Sequence, residues 1–169
     1  GEGNVEFADG GEFGSNMFKC EYPTTYSGSI SGDLTVIVSD KEEITFTSGN
    51  TYMMGTIINE ESVLSISKIG CLGTGSVSGE GTVILRDGKY NNLNLSKFSD
   101  SKTTLKISKE SVVSGYFNNS SWDVLANIEL EGEMNISNGY NGKSYTFEGE
   151  WRGTGVLKLS SSSLDELRI

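Results

Sequence analysis

Four carboxylates hold the most chemical promise in this sequence: Glu131 and Glu133 on one stretch, Glu148 and Glu150 on another. Paired carboxylates serve as general acid and base, or as oxygen ligands for a hard cation. Glu148 and Glu150 flank Gly149 beside Trp151, and glycoside hydrolases use such pairs near aromatic platforms. The local alternation speaks against catalysis by this pair. Tyr145, Phe147 and Trp151 share one side of a strand, while Glu148, Glu150 and Arg152 share the wet side, where burial cannot raise a carboxyl pKa.

The same four groups suggest a different chemistry. In the hairpin register expected below, Glu133 opposes Glu148 and Glu131 opposes Glu150. Like charges directly across a strand pair are destabilising. Glu131, Glu133, Glu148 and Glu150 are therefore a candidate Ca²⁺ site, or a surface for a basic partner. The plainer account is neutralisation by Arg152 opposite Glu129, by Lys143 and by lysines on neighbouring strands. No EF-hand spacing is present.

Other chemistry lacks its parts. The chain has no histidine, which removes the commonest general base, the usual protease triads and most zinc sites. Gly73-Thr74-Gly75 and Gly79-Glu80-Gly81 carry no P-loop lysine and open no helix, so they read as bends in a curved sheet. No catalytic residues are assigned. An enzymatic reading, acting at the mouth of a barrel, is left with Tyr90, Tyr116, Arg86 and Glu150 as its candidates.

The elements that would carry these residues read as strands. From Trp122 to Leu159 two arms alternate with period two around Asn138–Lys143, which holds two Asn-Gly turn signals. Apolar residues take the even positions of the first arm, Trp122 to Ile136, and the odd positions of the second, Tyr145 to Leu159. A single core then requires paired numbers with an odd sum, which puts Ser137 against Ser144 and Leu130 against Trp151. Each arm would run roughly 45–50 Å, about twice a usual strand, and so must bend.

A related pattern recurs upstream. Gly28–Val38 matches Gly75–Leu85 almost position by position, and Leu130–Ile136 is a weaker third copy. Each reads as a hairpin with an inward glycine in mid-strand. The expected fold is all-β: an antiparallel meander of about ten strands closing, or nearly closing, a β-barrel, with a two-sheet sandwich as the alternative. The whole of 1–169 reads as one domain, with an irregular lead-in over 1–27. Residues 160–169 read as a tail or a short helical turn, from a capping box at Ser163 and Glu166.

Such a barrel offers an interior site. Gly149, Gly153 and Gly155 remove bulk around Trp151, so Trp122, Met134, Tyr145, Phe147 and Trp151 would line a pocket for a small apolar ligand. Simple packing of Trp151 into the space the glycines leave is the competing account. Cys20 and Cys71 fit a disulfide or two buried thiols equally well.

A net charge of −10 argues against nucleic acid or an anionic membrane surface as partner. No apolar run is long enough for a membrane helix. These observations favour a non-catalytic binding barrel, extracellular or at a cell surface, with no resident cofactor unless Ca²⁺. The alternative is an assembly or interaction module, pairing with itself or with a protein partner through weakly guarded strand edges near 28–38 and 75–85.

Overall fold

The computed structural model describes residues 5–7, 16–98, 102–116, 123–137, 143–160 and 164–168. Its strands are all parallel and are stacked as a β-solenoid. The all-β expectation holds. The antiparallel barrel, and the sandwich offered beside it, do not.

One face runs through the whole stack. Strands β3 (Thr24–Tyr26), β6 (Glu43–Phe46), β8 (Val63–Ile66), β10 (Thr82–Leu85), β12 (Thr104–Ile107), β15 (Asn127–Leu130) and β18 (Trp151–Arg152) form a single seven-stranded sheet. The step between neighbours is 20 residues from Thr24 to Ile44 and from Ile44 to Leu64, then 19 to Val83 and 22 to Leu105. It settles at 23, from Leu105 to Ile128 and from Ile128 to Trp151.

Both flanking faces are broken. The face entered before the central one holds β2 (Met17–Cys20), β5 (Thr35–Val38), β7 (Gly55–Ile58) and β9 (Val77–Gly79). It resumes with β14 (Asp123–Val124), β17 (Lys143–Phe147) and β20 (Leu164–Arg168). The face entered after the central one begins with β1 (Val5–Phe7) on β4 (Ile30–Gly32). It resumes with β11 (Gly88–Asn94), β13 (Ser111–Tyr116), β16 (Glu133–Ser137) and β19 (Val156–Ser160). A 3₁₀ turn sits at each break: η1 (Ile69–Leu72) packs on β8 and β11, and η2 (Leu95–Phe98) packs on β9 and β14.

Short period-two strands suit this geometry, because a parallel stack lays like positions over one another. Ile44, Leu64, Val83, Leu105 and Ile128 make one inward column, and Phe46, Ile66, Leu85, Ile107 and Leu130 the next. All ten are buried, and each contributes roughly 1.5–3 kcal/mol on full burial. Buried polar side chains tie successive coils together. Asn50, 5% exposed, accepts from the Ile30 amide at 2.9 Å and donates to the Cys71 carbonyl at 2.7 Å, tying three coils together. The Tyr52 hydroxyl lies 2.6 Å from Thr56 Oγ1, and the Ser111 hydroxyl donates to the Leu85 carbonyl at 3.0 Å.

The expected long hairpin is two consecutive coils. Its first arm breaks into β14, β15 and β16, its second into β17, β18 and β19, and the second lies over the first in parallel. Ile128, not Leu130, neighbours Trp151, and Ser137 lies beside Ser160 rather than Ser144. The reason is parity. A parallel stack with an odd step of 23 joins even to odd numbers, just as an antiparallel pair with an odd sum does. The Asn-Gly turns lie outside the described residues.

The recurring motif is a corner, not a hairpin. Ile30–Gly32 and Val77–Gly79 sit on different faces, and each ends in a glycine at positive φ, 103° at Gly32 and 106° at Gly79, where the chain turns to the next face. Within 28–38, β5 is paired on both sides while β4 ends the two-stranded β1–β4 sheet, and within 75–85, β10 is paired on both sides while β9 ends its sheet. The expected C-terminal helical turn is instead strand β20, paired with β17. The lead-in over 1–27 contains β1, β2 and β3.

Candidate functional site

The corner between β17 and β18 carries the polar site. Gly149 lies so close to the coil below that a Cβ there would meet the Ala126 carbonyl oxygen at 2.1 Å. That approach sets Glu148 and Glu150 on either side as exposed side chains. Asn127 Oδ1 accepts from the Glu150 amide at 2.9 Å and holds the corner to β15. A cleft of about 300 Å³ results, lined by Lys102, Leu125, Asn127, Glu148, Gly149 and Glu150. It offers carboxylate acceptors and one ammonium on an open surface.

Glu131 and Glu133 lie elsewhere. The Thr154 hydroxyl donates to Glu131 at 3.1 Å, and Lys158 pairs with Glu133 at 2.6 Å. The Lys158 hydrogen bond holds the Glu133 carboxyl below its ordinary range. The parallel register thus gives each of these two residues a partner from the next coil instead of a facing glutamate. Among the described residues no three acidic, cysteine or histidine groups gather as a metal site.

Charge on the central face is organised as a ladder. Glu129 accepts from Lys106 on one side and, at 2.8 Å, from Arg152 on the other. The Lys106 hydrogen bond, with that of Arg152, holds the Glu129 carboxyl low against the opposing effect of burial. The sequence-level pairing of Arg152 with Glu129 is present, although between parallel strands.

Of the residues expected to line an apolar pocket, Phe147 and Trp151 meet, while Met134 lies on a strand of another face. Met134 and Phe147 are buried. Trp151 is half-buried and meets Phe147 edge-on, ring centroids 5.0 Å apart. Its indole Nε1 is buried without a hydrogen-bond partner among the described residues. Trp122 and the Tyr145 side chain lie outside the described residues. Gly149, Gly153 and Gly155 make room for the backbone of the coil below: a Cβ at Gly153 would stand 2.1 Å from the Leu130 carbonyl oxygen, and one at Gly155 2.3 Å from that of Gly132.

Of the candidate enzymatic groups, Tyr90 touches Arg86 only through the Arg86 backbone carbonyl. The Tyr90 hydroxyl is buried and donates to the Ile66 carbonyl at 2.7 Å, with its pKa pushed up to about 12 by burial. Arg86 is paired with Glu43, while Glu150 lines the cleft. Tyr116 ends β13 on the following face.

A second cavity of about 290 Å³ opens beside β2 and β3, lined by Phe18, Cys20, Tyr26 and Phe46 with Lys19, Glu21, Tyr22 and Thr24 around them. Cys20 and Cys71 are both free and buried, which decides for two thiols. Burial pushes the Cys20 thiol up to about 11.

One residue that matters structurally gave no signal in the alternation. Lys97 on η2 points its ammonium into the molecule, onto the Gly73 and Gly75 carbonyls. Comparison with protein-family models, with curated proteins and with solved structures finds no match in any of the three.

Proposed function

We propose that this chain is a non-catalytic assembly and interaction module, a rigid parallel stack that takes a further strand at the β18 edge of its continuous sheet. One observation carries the reading. Among the described residues, Trp151 presents a buried indole N–H with no acceptor, on the strand that ends the seven-stranded sheet. The Glu150 amide and carbonyl both point at β15. The alternation of backbone groups along a strand then turns those of Trp151 outward. An added strand satisfies the outward backbone groups of Trp151 and packs against the half-buried indole, the mode in which main-chain bonds give affinity and side-chain pockets give specificity. The spread of polar groups over separate faces supports binding over catalysis.

The test is a hydrogen-exchange footprint. The chain is examined with linear peptides selected from a displayed library, and alone across a wide concentration range. The reading expects association that slows amide exchange at Trp151. Protection confined to the Glu148–Glu150 cleft, or no association of either kind, overturns it.

A further inference from the structure

The break in the first flanking face is closed by a side chain. With the step of 22 residues that carries Val83 to Leu105, the residue one coil above Gly75 is Lys97. Another strand there would continue the sheet with backbone amides. The chain instead forms η2, and Lys97 Nζ donates to the Gly75 carbonyl at 2.8 Å and to the Gly73 carbonyl at 2.9 Å. Thr103 Oγ1 donates to the Gly79 carbonyl at 3.1 Å, so acceptors on both sides of β9 are met by side chains. Leu95 and Phe98 of the same turn are buried, and a Cβ at Gly115 would meet the Leu95 side chain at 2.8 Å, which anchors η2 against β13.

We propose that η2 is a guard over the β9 edge, latched by Lys97, and that this latch couples the 20-residue coils to the 23-residue coils. An uncovered strand edge is a template for pairing. Here the template is closed by an ammonium and two apolar anchors and not by a further strand, so a local opening of η2 uncovers it while the central sheet stays intact. Local openings of this kind occur well below the free energy of global unfolding. Burial holds the Lys97 ammonium below its ordinary pKa, the direction in which desolvation moves a cation. This inference concerns a different edge from β18 and does not depend on strand addition there.

Hydrogen exchange read by mass spectrometry on the full chain tests it. In Lys97→Met, peptides spanning Gly73–Gly79 and η2 exchange about ten- to a hundred-fold faster, the loss expected for charge-assisted bonds. Peptides spanning β6 and β19 keep wild-type rates. Lys97→Arg restores slow exchange, and Lys97→Gln, which keeps a donor without the charge, falls between. If Lys97→Met does not fold, the order wild type, Arg, Gln carries the test. Uniform acceleration along the chain, or unchanged exchange at Gly73–Gly79 in the Met or Gln variant, overturns the proposal.

Discussion

The early coils and the late coils solve the same stacking problem differently. Up to β8 the step is 20 residues, and beyond the β1–β4 pair the third side is held by side chains such as Asn50 and Tyr52. From β12 onward the step is 23, and that side is a strand of the β11–β13–β16–β19 sheet. The added residues lengthen the perimeter and replace side-chain bonds at a corner with a backbone ladder. Only the central sheet is common to both regions. The difference teaches that a solenoid keeps its column of apolar residues while its cross-section changes, provided the exposed edges at the change are capped.

The harshest way to break this arrangement is at the change itself. Gly79→Ala places a Cβ 2.0 Å from the Ile58 carbonyl oxygen on a backbone at φ 106°. Thermal unfolding should show a loss of more than about 4 kcal/mol, the range reserved for strain and overpacking together. Gly49→Ala, where nothing lies within 4 Å, is the matched control and should be close to neutral.

Leu105→Ala opens a cavity in the column both regions share. It should cost about 2–5 kcal/mol by denaturant titration, with faster exchange on both sides of β12. Asn50→Ala acts on the early coils alone. It strips partners from the buried Ile30 amide and Cys71 carbonyl, at roughly 1–3 kcal/mol for each group left unmet. Exchange should accelerate around β4 and η1 and stay unchanged at β16 and β19; equal acceleration in both regions would remove the distinction drawn between them.

The smallest effect belongs to the late coils. The Glu129 carboxyl is held low in the folded chain, first by the Lys106 hydrogen bond. A depressed folded pKa adds stability above the unfolded carboxyl pKa, and that stability is lost as pH falls through the folded value. Exposed partners limit the size. Glu129→Gln should flatten the acid limb of the stability–pH curve slightly; an acid limb as steep as that of the wild type would remove Glu129 from the account.

Much of this was legible in the alternation. Val124, Ala126, Ile128, Leu130, Met134 and Ile136 face inward as their even numbers require, and Phe147 faces inward as its odd number does. What alternation cannot convey is direction. Odd sums and odd steps obey the same parity, so most of the described inward set of 122–159 was right while its strand partners were not, the pairing of Glu129 with Arg152 excepted. Leu159, 44% exposed, marks where the inward pattern fails in the last coil. The carboxylate cluster failed for the same reason, since Glu131 and Glu133 find Thr154 and Lys158 once the register is parallel. Lys97 was invisible because a lone lysine between Ser96 and Phe98 acquires meaning only from the step that sets it above Gly75.

Strand direction is therefore the point on which everything rests, and side-chain contacts read by isotope-edited nuclear magnetic resonance test it most directly. The parallel solenoid predicts cross-strand contacts between Trp151 and Ile128, and between Leu157 and Met134. Contacts between Trp151 and Leu130, with Ser137 beside Ser144, would contradict it and restore the antiparallel hairpin.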